Sequence, residues 1–310
     1  MKRKVIKLGQ ATYVASLPSK WIREHNLEKG DYLECEIEEG NLIFSTDKRP
    51  TKDSELFINI SDYNKRTITI SLHQIYRKGF DKLTIQYKNK EQFEIIQKVV
   101  KNTLLGFEIV QVLDNKCVIQ NIAEPSPEKF NVILRKMMLL IKEDVQDISN
   151  DIKEKRFNFD KRKQTKEIFD NFNNFIRRIV IKEKIEGPKN SYLLFYLISQ
   201  LSLLQHAYFY FYKIYVMNKK IVDDTKIITL LEKINECYLL LYDSFYKKDL
   251  NLAHQTRSKS DQIMKEILEL ISKAKGLDNQ YLLLLSNITR IIAVSTTALF
   301  GLDFNELENE

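Results

Sequence analysis

From residue 128 onward, apolar residues recur in steps of three and four. Leu134, Met138, Ile141, Val145, Ile148 and Ile152 follow that spacing without a break, which puts them on one face of a helix. Ile168, Phe172, Phe175 and Ile179 mark a second amphipathic helix that stops near Gly187-Pro188. A fourth carries Ile227, Leu231, Ile234, Tyr238, Leu241 and Phe245, and a fifth carries Ile263, Ile267, Leu270 and Ala274. Between them lie two segments that are apolar almost all round, Asn190–Met217 and Asn279–Leu299. Amphipathic helices need a central helix to cover their seams, so the pattern predicts antiparallel bundles.

The segment before this is mixed. Glu55–Ile60 and Lys82–Tyr87 read as strands, and Phe107–Leu113 with Lys116–Ile122 as a hairpin around Asp114-Asn115. Glu91–Leu105 reads as a helix with Phe93, Ile96, Val99, Val100 and Leu104 on one face. Residues 62–79 satisfy two patterns: Thr67–Leu72 alternates like a strand, whereas Ile68, Leu72, Ile75 and Tyr76 have helical spacing before Gly79. The helical reading is preferred, giving a small α+β unit of order β-α-β-α-β-β.

The first 47 residues predict a compact β-rich unit. Val5–Leu8 and Thr12–Leu17 are strands around a Gly9 turn, and Pro18–Asn26 is a short helix burying Trp21, Ile22 and Leu27. Leu33, Cys35 and Ile37 alternate with Glu34, Glu36 and Glu38 in a strand that turns at Gly40 onto Leu42–Ser45. Polar or proline-bearing stretches at 48–54 and 124–127 separate the parts. The expected domains are therefore 1–47, 54–123, 127–219 and 223–302. The last two rest on an internal repeat: Gly187-Pro-Lys-Asn190-Ser-Tyr192-Leu-Leu against Gly276-Leu-Asp-Asn279-Gln-Tyr281-Leu-Leu. Each copy ends a charged helix and opens an apolar one, which makes two three-helix units.

Charge sharpens the picture at the N-terminus. Lys2, Arg3, Lys4, Lys7, Lys20 and Arg23 all precede the first acid, Glu24, and the acids after it face only Lys29 up to residue 47. Such asymmetry offers a polyanion one basic face. The whole chain of 310 residues carries a net charge of +7. Its three cysteines (Cys35, Cys117, Cys237) and four histidines (His25, His73, His206, His254) are scattered, so no disulfide framework or zinc spacing emerges. No nucleophile–base pair, metal triad or phosphate loop is visible, and an enzyme is not expected. An apolar stretch after the basic N-terminus is lacking, so no signal peptide is expected. Asn190–Tyr212 has no charge and is long enough for a bilayer, but Ser199, Gln200, Ser202, Gln205 and His206 interrupt it. Its aromatic end, from Tyr208 to Tyr215, fits bundle core or a partner surface, the former preferred. No membrane insertion and a cytoplasmic location are expected.

The head resembles the SpoVT/AbrB (MazE-like) family, through RKVIKLG and SLPSKWIREHNLEKGDYLECEIEEGNLIFS. The resemblance implies hairpins that interlock into a homodimer, which would also supply the core that fewer than fifty residues rarely build alone. It implies DNA contacts at Lys2, Arg3, Lys4, Lys7, Lys20 and Arg23, with Gln10 and Thr12 placed for sequence readout. Gln10 stands where many relatives carry an arginine. The tail and the domain order are similar to the PhoU family, and more closely to archaeal PhoU-type regulators with an AbrB domain. That family often carries metal clusters on acidic helix motifs. The matching stretches here are Asp170-Asn-Phe-Asn-Asn174, Leu201-Ser-Leu-Leu-Gln205-His206, Ser-Lys-Ser-Asp261 and Asn287-Ile-Thr-Arg290. Most of the carboxylates are replaced, so no metal and no cofactor are expected. His206 is then expected as a satisfied histidine inside the bundle.

The resemblance implies a regulator of phosphate uptake or homeostasis that binds double-stranded DNA as a dimer, its tail sensing or docking a partner. The alternative is an adaptor that dimerises through its head, binds no DNA, and acts on a phosphate transporter or sensor kinase. A higher oligomer than the dimer is left open.

Overall fold

The computed structural model describes residues 2–38, 40–46, 55–123, 128–183, 185, 187–218, 224–273 and 277–302. The boundaries expected at 47–54, 124–127 and 219–223, together with Ala274 and Gly276, lie outside the described residues. Small sheets occupy the N-terminal part and helices the rest, in a β-then-α, multidomain layout.

The head holds two separate hairpins: β1 (Ile6–Leu8) with β2 (Thr12–Val14), and β3 (Glu34–Glu38) with β4 (Asn41–Ser45). Between them stands one short helix, α1 (Ser19–Glu24). The expectation of a compact unit is corrected. Among the described residues α1 contacts neither hairpin and the hairpins do not contact each other. Trp21, Ile22 and Leu27 are only half-buried. Ile37 is 82% exposed and Tyr32 is 95% exposed. A two-stranded hairpin has one apolar face and nothing of its own to lay over it, so a single copy leaves that face open.

The next unit is a four-stranded sheet of order β5-β6-β8-β7, comprising β5 (Glu55–Asn59), β6 (Lys82–Gln86), β7 (Phe107–Leu113) and β8 (Lys116–Asn121). The parallel pair β5–β6 is joined by α2 (Lys65–Arg77), as a parallel connection requires a crossover. The helical reading of residues 62–79 holds because Asn64 caps α2, its side chain accepting from the Thr67 amide at 3.0 Å. Ile68, Leu72, Ile75 and Tyr76 are all buried. A second helix, α3 (Lys90–Thr103), is capped by Asn89 in the same way. Gln92 at its start donates to the carbonyls of Ile60, Ser61 and Tyr63, fixing the chain that leaves the sheet.

Six long helices follow: α4 (Glu128–Glu154), α5 (Phe159–Glu183), α6 (Gly187–Asn218), α7 (Asp224–Tyr246), α8 (Leu250–Ile271) and α9 (Leu277–Gly301). Helices α4, α5 and α6 pack mutually, as do α7, α8 and α9, and the triplets meet through α4–α7 and α6–α9. The apolar core runs unbroken from Ile60 in the sheet unit to Leu302. All six seam residues of α4 are buried. In α5 only the first seam position differs: Ile168 is exposed and Phe169 is buried in its place, while Phe175 and Ile179 are buried and Phe172 packs against the core. The two copies of the repeat are similar in sequence but not in setting. Tyr281 is buried against Phe211 and Tyr215 of α6, while Tyr192 is exposed at the opposite end of that antiparallel contact. Tyr208, Phe211, Tyr212 and Tyr215 are core, whereas Tyr210 is exposed. Among the described residues one helix, Asn279–Gly301, is long and apolar enough to cross a membrane, and it packs against α6, α7 and α8.

Polar groups lock the bundle. Arg162 donates to Asp144 at 2.6 Å inside the first triplet, and Gln205 donates to the other carboxylate oxygen at 3.1 Å. Burial still pushes the Asp144 carboxyl up to about 6, against the pull of Arg162. Tyr238 on α7 donates to the Met138 carbonyl of α4 at 2.6 Å, tying one triplet to the other.

Candidate functional site

The residues expected to contact DNA are all exposed: the basic Lys2, Arg3, Lys4, Lys7, Lys20 and Arg23, and the neutral Gln10 and Thr12. Lys7 lies on β1 opposite Tyr13, and Thr12 on β2 opposite Leu8. Gln10 sits in the turn that Gly9 makes possible at φ +77°. Lys2, Arg3, Lys4 and Lys7 form no ion pair among the described residues. Lys20 lies 4.0 Å from Glu24, too exposed to be neutralised by it, and Arg23 donates to the Ser19 carbonyl. Cations at the hairpin are thus gathered along one short stretch, while Lys20 and Arg23 sit on a helix that does not touch it. One chain does not assemble all six on a single face.

A second polar centre joins the sheet unit to the first helical triplet. Arg178 on α5 is 1% exposed. Its guanidinium donates to the carbonyls of Tyr76 and Phe80, each at 2.9 Å, and to Asp81. It also lies 5.1 Å from the Tyr76 ring centre and 4.9 Å from that of Phe107. Lys182, one turn on, reaches the same Asp81 at 2.8 Å. Next to this clamp the consecutive amides Asn173 and Asn174 are buried. Asn174 donates to the Thr103 carbonyl at 3.0 Å and accepts from Arg77. Asn173 donates to Ser202 and accepts from Arg177.

His206 is half-buried at the edge of this centre, its Nε2 2.7 Å from Asp170 Oδ1, and Lys166 pairs with the other oxygen. It is partnered as expected of a satisfied histidine, but at the seam rather than deep in the bundle. Against the upward push of burial, the hydrogen bond from His206 and the neighbouring Lys166 hold the Asp170 carboxyl below its ordinary range. His73 faces the same seam, with Nε2 2.8 Å from Thr103 Oγ1; burial pushes its imidazole down to about 4. No group of three or more His, Cys, Asp or Glu that could hold a metal occurs among the described residues.

Beside the seam, and sharing Thr103 with it, α2, α3 and α5 enclose a cleft of about 830 Å³. Lys65, Lys98 and Lys101 line it together with Glu91, Glu94 and Glu167, so it favours neither sign of ligand. Sequence reasoning missed Arg77, Asn173 and Arg177. The Arg177-Arg178 doublet was the available signal, since neighbours on a helix point about 100° apart and one of them must face inward. No family model, curated protein or solved structure matches the chain.

Proposed function

We propose that this chain is a cytoplasmic, non-enzymatic transcriptional regulator of phosphate uptake or homeostasis. A SpoVT/AbrB-like head binds double-stranded DNA as a homodimer, and a PhoU-like tail of two three-helix bundles senses or docks a partner. One observation carries the reading: Lys2, Arg3, Lys4 and Lys7 are exposed and unpaired on a unit whose apolar side chains are left uncovered in one copy. Exposed apolar surface of this kind marks an interface, and a second copy would bring two sets of cations to one duplex. Phosphate contacts would supply most of the affinity, with Gln10 and Thr12 positioned to read base edges.

The test is a titration of the full chain against random duplex DNA at two salt concentrations. Affinity falling about a thousandfold between 50 and 200 mM salt is expected for ~6–10 phosphate contacts. Reversing charge at Lys4 and Lys7 together abolishes binding; unchanged affinity would refute this face. The adaptor reading is favoured by the separation of Lys20 and Arg23 from the hairpin cations. It predicts a robust dimer that does not bind DNA even at low salt.

A further inference from the structure

Two guanidinium groups at the seam have no carboxylate within ion-pair distance among the described residues. Arg77 on α2 and Arg177 on α5 are both half-buried, and neither forms an ion pair among the described residues. Each is held by a neutral amide instead. Arg77 donates through Nε and Nη2 to Asn174 Oδ1, at 2.9 and 2.7 Å. Arg177 donates through Nε to Asn173 Oδ1 at 2.9 Å. The amides cannot turn away, because their nitrogens are committed to Ser202 and the Thr103 carbonyl. What remains is Nη1 of Arg77 and both terminal nitrogens of Arg177, with no hydrogen-bond acceptor among the described residues but still reachable by solvent.

The rest of the chain treats buried arginine differently. Arg162 and Arg178 are each neutralised by a carboxylate. Burial pushes the Arg177 guanidinium down to about 10, and nearby Arg77 adds to the shift. Arg77 is itself lowered by burial. Two like charges half out of water and close enough to disturb one another are costly unless something anionic joins them. Asp170 does not fill that role for both: it lies within electrostatic reach of Arg77, but it is bonded to Lys166 and His206. The surroundings therefore keep a surplus of positive charge, carried by two arginines from different helices that lie within electrostatic reach of one another, Arg177 with its guanidinium 5.0 Å over the Phe195 ring.

We propose that this seam is a binding site for a tetrahedral oxyanion of the phosphate class, gripped by the Arg77 and Arg177 forks. Guanidinium presents paired N–H donors that match such oxygens, and its charge-assisted bonds are the strong kind. Because Arg77 belongs to the sheet unit and Arg177 to the helical tail, a bound anion would tie the two together. The site itself stands apart from the head. Only its use as a sensor rests on the proposed function.

The experiment is calorimetric titration of the full chain with inorganic phosphate and, separately, with adenosine monophosphate, in chloride buffer at fixed ionic strength. Saturable binding of one or both, one per chain, is expected, and which titrant binds tells a free anion from a phosphoryl group on a larger molecule. Arg77→Gln and Arg177→Gln each weaken it at least about tenfold, and Arg177→Lys does the same because an ammonium lacks the fork. Thermal melts give a second readout: the binding titrant raises the Tm of wild type alone, and in chloride Arg177→Gln melts no lower than wild type. DNA affinity measured without the anion reports on the head separately. Lack of saturable binding of either titrant below about 10 mM, or equal binding by the glutamine variants, overturns the proposal.

Discussion

Replacing Arg178 with alanine should uncouple the sheet unit from the helical tail. The side chain is 1% exposed and serves three acceptors from the segment Tyr76–Asp81 while stacking over two aromatic rings. Breaking a fully buried ion pair costs about 3–5 kcal/mol. The lower end applies to the charge term here, since Asp81 is part-exposed and keeps Lys182. Lost contact with the rings of Tyr76 and Phe107 adds roughly 1 kcal/mol or more. The expected loss is about 4 kcal/mol, felt first in α2 and the sheet. The only tryptophan, Trp21, lies in the head, so fluorescence would miss it. Amide exchange at Ile68–Tyr76 and Leu83–Ile85, alongside a urea melt by circular dichroism, reads it directly. Asp81→Asn, alone and with Arg178→Ala, isolates the ion pair, with a coupling of about 1–3 kcal/mol. A variant within about 1 kcal/mol of wild type, with exchange in α2 unaltered, would refute the clamp.

Three further outcomes are expected. His73 is neutral in the folded chain, with a pKa of about 4 against an unfolded value near 6.5. The unfolded chain therefore binds the extra proton between those values, and stability held above pH ~6.5 falls by up to about 3 kcal/mol as pH drops toward 4. Asp144, raised to about 6, titrates there with the opposite sign, so the difference between wild type and His73→Gln in pH-dependent melts is the readout. Tyr208→Phe removes a fully buried hydroxyl with no hydrogen-bond partner among the described residues and should leave stability unchanged or raise it by about 1 kcal/mol, read from denaturant midpoints. Gly106→Ala forces a side chain onto φ +82° with its Cβ 2.8 Å from the Ala123 carbonyl; a loss of about 1–3 kcal/mol, measured by thermal melting, is expected.

What the sequence made legible was whatever repeats locally. The six seam residues of α4 keep a helical step, and all six are buried, because a long helix on a shared core has no other way to hide them. In residues 62–79 the spacing of Ile68, Leu72, Ile75 and Tyr76 before Gly79 indicates a helix, and the structure adds the Asn64 cap. Periodicity was less sharp at Ile168-Phe169, where two adjacent apolar residues compete for one inward position and only packing against α6 and α2 decides. For the head, alternation identified an apolar face on Ile37 and its neighbours but could not say what covers it, because a pattern along one chain carries no information about a second copy.

The seam was invisible for a different reason. It draws Arg77, Thr103, Asn173, Asn174, Arg177 and Ser202 from four helices, with no two helices' contributions closer than about 25 positions in sequence. Each of them, read alone, passes for a solvated polar residue. Their roles follow only once α2 is laid against α5, when Asn173 and Asn174 lose water and must spend both ends of each amide on the protein. That requirement fixes which way the arginines point. A reading of apolar spacing finds the core that brings these elements together, whereas the charge left over at their junction is a property of the folded chain, and it is there that a ligand would be recognised.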